Sequence, residues 1–311
     1  MNILTLGADE VLCALGADAA IDAILAALRG GLTPADDPPR ARVPLAHGLL
    51  LMMPAQVGAD AGVKVIGLAP GNPAQGMPVI QGTYLHLDAR TFAPVALLDG
   101  AALTALRTPA VTLAAVRDRL RTGSAPHRVI VFGTGVQARA HLRALRSVVG
   151  CGERIETAWV VSRRGGDPVE GAARLTAGSH AAAAALREAT IVVCATDARE
   201  PLFDSTDLAA DAVVIAVGSH ERDARELPSD AFRGASVVVE DRATALREAG
   251  DIVMAVHDGA LAPDELTELV HIARGSAAVP AEGRVIVKTS GMSWEDVVIA
   301  RAILERRGRT G

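Results

Sequence analysis

The chain has 311 residues, enough for one large domain or for two, and half of them are hydrophobic although only 2% are aromatic, so its core is built from Ala, Val and Leu. A net charge of -5 without a basic cluster argues against a nucleic-acid partner, and the scattered histidines offer no metal-ligand spacing. No apolar run reaches the length of a bilayer-spanning helix and no signal peptide opens the chain, while an odd set of cysteines (Cys13, Cys151, Cys194) fits a reducing, cytoplasmic location without a membrane partner.

Helical patterns over 8–15 and 18–28 open the chain and precede a Pro-rich linker from Thr33 to Pro39. Strand-like runs follow at 43–45, 49–53, 63–68 and 83–87, with another at 95–98 after a turn at 88–91. They predict an antiparallel or mixed sheet in a first, α+β domain that supplies substrate groups. A long helical pattern over 101–120 leads onward. From Val129, β-branched runs at 129–132, 158–161, 191–194, 213–217, 236–240 and 285–288 alternate with helical patterns near 136–147, 180–189, 243–249 and 263–274. Such alternation predicts an α/β domain with a parallel sheet covered on both faces. A last helix over 294–306 is expected to pack back onto the first domain.

The most informative stretch is Arg128 to His141. A short apolar run enters Gly133-x-Gly135-x-x-Ala138 and then a helix, which is the strand, glycine turn and helix start of a dinucleotide-binding unit. Gly133 permits the turn, Gly135 lets backbone approach a pyrophosphate, and Ala138 still allows close helix–strand packing. The backbone N–H groups around Thr134, Val136 and Gln137 then face the phosphates. At the end of the next strand stands Ser162-Arg163-Arg164, with no acid to bond a ribose 2′-OH. Arginine there pairs with a 2′-phosphate, so the expected cofactor is NADP(H), with NAD(H) as the alternative.

Of 31 basic residues only Lys64 and Lys288 are lysine. In a chain so biased toward Arg, a surviving lysine marks a place where a compact, titratable amine is needed, or chance. The functional reading is favoured for Lys64, and the two readings stand level for Lys288. Arg40, Lys64 and Arg107, with a nearby hydroxyl, could converge on a small carboxylate, Arg107 clamping it bidentately. Arg42 is a near-equivalent candidate to Arg40, and a solvated surface position is the ordinary alternative for each arginine.

Several further pieces complete a pattern: Met53-Pro-Ala55 with Gly62-Val-Lys64, Pro70-Gly-Asn-Pro73, Leu97-Leu-Asp-Gly100 with Leu103-Thr104 and Arg107-Thr108, Ala216-Val-Gly218 with Arg225-Glu-Leu227, and Lys288-Thr-Ser-Gly-Met292 with Glu295-Asp296. Together with the glycine turn they resemble the ornithine cyclodeaminase/mu-crystallin family over most of the chain. The resemblance implies a homodimer with a substrate-binding and dimerisation domain over 1–120, joined by the C-terminal helix at 290–311, and a Rossmann NAD(P)-binding domain over 121–289. It also implies that Arg40, Lys64 and Arg107 contact the substrate carboxylate, with Thr83 close by. The candidate cofactor contacts are Thr108, Gly133, Thr134, Gly135, Val136, Gln137, Ser162, Arg163, Arg164, Thr196, Val217 and Gly291.

Two departures bear on activity. Cyclodeaminases place an aspartate where this chain has Gly218-Ser-His220, and an acid where it has Ser162-Arg163-Arg164. The resemblance is therefore nearest to the ketimine reductases, which reduce cyclic imino acids such as Δ1-pyrroline-2-carboxylate and Δ1-piperideine-2-carboxylate to L-proline or L-pipecolate. Lys64 would supply or maintain the imine proton, and His220 is a substrate-side candidate or a loop hydrogen-bonder. The alternatives are an ornithine cyclodeaminase with bound NAD, an amino-acid dehydrogenase or N-alkyl amino-acid synthase, and a cofactor-dependent binding protein without turnover.

Overall fold

Alternation of side chains along five successive strands decides the architecture of the first unit. A computed structural model describes residues 3–150, 154–163, 165 and 168–308, so Cys151 and Arg164 lie outside the described residues. The chain divides into two units, one of Met1–Ala110 with Met292–Gly311 and one of Val111–Gly291.

The first unit opens with β1 (Leu4–Leu6), α1 (Ala8–Ala14) and α2 (Ala17–Arg29). In α2 the apolar residues Ala20, Ile21, Ile24, Leu25 and Leu28 recur at helical spacing and are all buried. A 3-10 turn then leads to β2 (Ala41–Leu45), β3 (Gly48–Val57), β4 (Asp60–Leu68), β5 (Ile80–Asp88) and β6 (Pro94–Asp99). The six strands form one sheet in the order β1-β6-β5-β4-β3-β2. It is antiparallel except where β1 pairs parallel with β6, so the sheet is mixed. The rung Met53–Lys64–Tyr84–Leu98 is buried on one face. The rung Pro54–Val63–Leu85–Leu97 lies on the other face, part-exposed to exposed. Helix α3 (Gly100–Arg121) follows, started by Asp99, whose carboxylate accepts from the Ala102 N–H at 2.8 Å. The unit boundary falls within α3, at Ala110, ten residues before the expected one.

The second unit contains β7 (His127–Phe132), α4 (Val136–Val148), β8 (Ile155–Ser162), β9 (Ala173–Thr176), α5 (His180–Glu188), β10 (Ile191–Cys194), β11 (Val213–Ala216), β12 (Ser236–Val239), α6 (Arg242–Glu248), α7 (Gly250–His257), β13 (Leu266–Glu268), α8 (Leu269–Ala273) and β14 (Val285–Lys288). All eight strands are parallel, in the order β13-β12-β14-β11-β10-β7-β8-β9. Every residue of β10, β11 and β14 is buried, as the unbroken apolar runs require of a sheet covered on both faces. The chain runs outward from β7 through β8 and β9, then crosses to β10 and runs the other way. The strand order therefore reverses between β7 and β10, the crevice where such sheets bind ligands.

One expected element is corrected. The helical pattern over 263–274 resolves into a 3-10 turn, β13 and the five-residue α8. Pairing of Leu266, Thr267 and Glu268 with Val237, Val238 and Val239 takes those residues into the sheet. The short edge strand β9 and helix α7 were not expected.

The last helix, α9 (Ser293–Gly308), rejoins the first unit and packs on β3, β4 and β5 and on α2. Its first turn is fixed by Asp37, whose Oδ2 accepts from the Ser293 N–H at 2.7 Å. No single helix among the described residues is long and apolar enough to cross a membrane.

Candidate active site

In the first unit, helix α9 covers the sheet face that carries Lys64. The Lys64 ammonium donates to Asp296 Oδ1 at 2.9 Å, lies 2.8 Å from Oδ2, and donates to Thr104 Oγ1 at 3.1 Å. One turn along α3 from Thr104, Arg107 donates from Nη1 to Glu295 Oε2 at 2.8 Å. Its Nε lies 3.7 Å from Asp296 Oδ1. All four charged side chains are buried, two of each sign. The acids sit in the first turn of α9, where the helix dipole favours negative charge.

Burial holds the Lys64 amine well below its ordinary value, at about 8; Asp296 pulls the other way and Arg107 adds to the depression. The cluster thus contains an amine that titrates near neutrality. Across the strand pair from Lys64, the Tyr84 hydroxyl is fully buried and has no hydrogen-bond partner among the described residues. Burial and the nearby Asp296 raise its pKa, so it is held as a donor.

In the second unit, β7 ends in Gly133 at φ +111°, where a Cβ would also stand 2.4 Å from the Ala195 carbonyl. No other residue fits. Gly135 caps α4 with no side-chain hydrogen bond, and a Cβ there would meet open space. Helix α4 thus starts without a side-chain cap, at the end where the helix dipole favours an anion. A cavity of about 350 Å³ is bounded by Gly133, Gly135, Ser162, Arg163, Thr196 and Asp197, among others. Val136, the first residue of α4, leaves its apolar side chain exposed. A glycine that admits no Cβ, an uncapped helix start and an adjoining cavity fit a dinucleotide. Arg163 is exposed and donates from Nη2 to Asp197 Oδ1 at 3.2 Å. Arg164 lies outside the described residues.

Buried carboxylates fix the loops that follow the strand ends. Glu226 Oε1 accepts from the Thr196 N–H and hydroxyl, both at 2.7 Å, and Oε2 accepts from the Gly218 N–H at 2.7 Å. Glu240 accepts from Ser290 and Gly291 N–H, each at 2.9 Å. Lys288 Nζ lies 3.1 Å from Asp251 Oδ2 and donates to the Ser219 carbonyl at 2.6 Å, so this second lysine is a buried structural cation. Burial raises the Glu226 pKa, with Lys288 opposing.

The expected site residues are brought together unevenly. Lys64 and Arg107 share Asp296. Arg40 stands part-exposed one residue before the first ladder pair of β2, Ala41↔Met52. Thr83 pairs with Val65 and Asp99 and so takes the sheet face opposite Lys64. The Thr108 hydroxyl donates back to the Thr104 carbonyl at 2.9 Å. Val217 continues the ladder, its N–H bonded to the Cys194 carbonyl at 2.9 Å. The exposed His220 ring contacts the Gly218 carbonyl at 3.2 Å through Nδ1, as a loop hydrogen-bonder does. The sequence reading gave no role to Glu295, Asp296 or Glu226. Two adjacent acids heading the apolar run Val297–Ala300 were the available signal that Glu295 and Asp296 are buried.

A doubly wound parallel sheet with this glycine turn in one unit, and a buried cation–carboxylate cluster in the other, define a two-unit dinucleotide-binding protein. A family model described as ornithine cyclodeaminase/mu-crystallin family matches residues 4–310, and the chain belongs to that family. It is 32% identical over 286 residues to Δ1-pyrroline-2-carboxylate reductase 2 of Burkholderia ambifaria, covering 87% of this chain and 86% of that protein. It is 28% identical over 276 residues to the ketimine reductase mu-crystallin of Mus musculus, covering 86% and 84%. Its structure is similar to that of Thermococcus litoralis Δ1-pyrroline-2-carboxylate reductase in complex with NADH and L-proline, with a TM-score of 0.84, 26% identity and coverage of 99% and 98%.

Proposed function

We propose that the protein is an NADPH-dependent ketimine reductase, converting Δ1-pyrroline-2-carboxylate or Δ1-piperideine-2-carboxylate to L-proline or L-pipecolate. The observation that carries this reading is the buried Lys64, with its amine near 8, beside Arg107. Relatives of the same family named as reductases of these imines support it. The glycine turn, the start of α4 and Arg163 would hold the cofactor. When bound, the reduced nicotinamide supplies hydride to the C=N carbon.

The chain's residues do the rest. Arg107 and Lys64 bind the substrate carboxylate and orient the ring. Arg40, just ahead of β2, would add a further cation for that carboxylate. Lys64 keeps the imine nitrogen protonated, which makes its carbon electrophilic; an amine near 8 both holds and releases a proton at physiological pH. His220 provides no carboxylate for an alkylammonium, which disfavours ornithine as substrate.

We also propose that the protein is a homodimer. The face of the first sheet opposite α9 carries Pro54, Val63, Leu85 and Leu97 in one rung, with the exposed Val43, Leu45 and Val95 around it. An apolar surface of this kind favours a partner of the same kind.

The test is oxidation of NADPH and NADH with a panel of cyclic imines, pyruvate plus amines, and ornithine. Turnover with the cyclic imines, faster with NADPH, is the expected result. Ammonia release from ornithine without added cofactor overturns it.

A further inference from the structure

We propose that Glu226 is the positioning residue for the nicotinamide half of the cofactor site. This rests on the reading that the second unit binds a nicotinamide dinucleotide. In a sheet whose order reverses between β7 and β10, each side of the reversal takes one nucleotide. The side of β7, β8 and Arg163 takes the adenosine, since the residue at the end of β8 meets its ribose. Gly218, past the end of β11, is left for the nicotinamide nucleotide, and Thr196, past the end of β10, stands between the two halves, since it also bounds the cavity beside Ser162 and Arg163.

Glu226 joins those two ends. Its two oxygens accept three hydrogen bonds, from the Thr196 N–H and hydroxyl and from the Gly218 N–H, each at 2.7 Å. There is no slack between them. A Cβ on Gly218 would stand 2.6 Å from Glu226 Oε1 and 2.0 Å from the Thr196 carbonyl. Glu226 is itself held by Asp251, whose Oδ1 accepts from the Glu226 and Leu227 N–H groups at 2.7 and 2.8 Å. Asp251 pairs with Lys288, which donates to the Ser219 carbonyl at 2.6 Å. Glu226, Asp251 and Lys288 are all buried.

A buried carboxylate is costly, and apolar packing serves stability as well or better. What it provides here is a single arrangement of two loops. Three charge-assisted bonds hold Thr196 and Gly218 against each other, so the backbone groups that remain on that side are fixed before the cofactor arrives. Hydride transfer tolerates little misplacement, which gives such rigidity a use.

Glu226→Gln keeps the size of the side chain but turns an NH2 toward one of the N–H donors. Binding is measured by titration of wild type and variant with NADPH and with adenosine 2′,5′-bisphosphate, the adenosine half alone, alongside Tm. The expected result is weaker NADPH binding by about tenfold or more, with fragment binding unchanged within about twofold. Equal losses for both ligands, or no loss for either, overturn the proposal. Should Glu226→Gln fail to fold, Thr196→Val removes one of the three bonds at nearly constant size. It is expected to weaken NADPH by about threefold or more and the fragment by less, and equal changes again overturn the proposal. A wild type that binds neither NADPH nor NADH overturns the cofactor reading itself, a result distinct from variants that fail to discriminate.

Discussion

Lys64 Nζ lies 2.8 Å from the Asp296 carboxylate, and neither side chain has any exposed surface. Asp296 is the largest influence keeping the Lys64 amine charged against the cost of its burial. Asp296→Asn is therefore expected to lower the lysine's pKa further and to move the basic limb of kcat/KM below its wild-type position. Breaking a buried pair also costs about 3–5 kcal/mol, measurable by urea unfolding. An unmoved limb with full stability would show that the pair is not coupled as described.

The pH behaviour of the wild type has two parts of opposite sign. The folded amine titrates at about 8 against an ordinary 10.5, so between those values the unfolded chain binds more protons. The contribution of Lys64 to stability is thus fully present above 10.5 and is lost as pH falls toward 8. As the group that maintains the imine proton, it gives kcat/KM a basic limb near 8 over the same window. Lys64→Arg, which cannot release its proton, should lose about 10²-fold in kcat with NADPH affinity nearly unchanged. Retained kcat in that variant would reduce the lysine to an electrostatic role.

Arg163 and Asp197 form an exposed pair at 3.2 Å on the rim of the dinucleotide cavity. With Arg163 on a 2′-phosphate, Arg163→Ala weakens NADPH on the order of tenfold and leaves NADH nearly unchanged. Asp197→Asn removes a competitor for the guanidinium and a negative charge facing the phosphate, so NADPH binding should tighten by a few-fold. Equal affinities of the wild type for both cofactors would remove the basis for the selectivity.

Val63 sits in the middle of the apolar rung opposite Lys64. Val63→Glu places a charge in the proposed subunit contact and is expected to yield monomers in sedimentation velocity, where the wild type is expected to sediment as a dimer. A wild type that sediments as a monomer would contradict the proposed assembly.

Local signals made the nucleotide unit legible. Gly133 and Gly135 announce a turn and a helix start within a few residues, and the unbroken runs of β10, β11 and β14 announce strands buried on both faces. The candidate site was half legible. Its cations stood out because so few lysines remain, but the carboxylates that hold them lie 232 residues from Lys64 and 188 from Arg107. The face that Thr83 takes was not legible for a related reason. Which face a strand residue takes relative to another strand depends on register, and β4 and β5 are joined by a connection whose length does not reveal it. The stretch 263–274 carries a helical pattern, yet pairing with β12 overrides it for three residues.

The most direct measurement follows the hydride itself. NADPH carrying deuterium at the transferable position of its nicotinamide is incubated with the protein and Δ1-pyrroline-2-carboxylate, and the product is analysed by chiral chromatography and mass spectrometry. The proposed function predicts L-proline bearing one deuterium at its α-carbon, formed in step with cofactor oxidation. Absence of labelled proline, or formation of unlabelled proline from ornithine with release of ammonia, would contradict it.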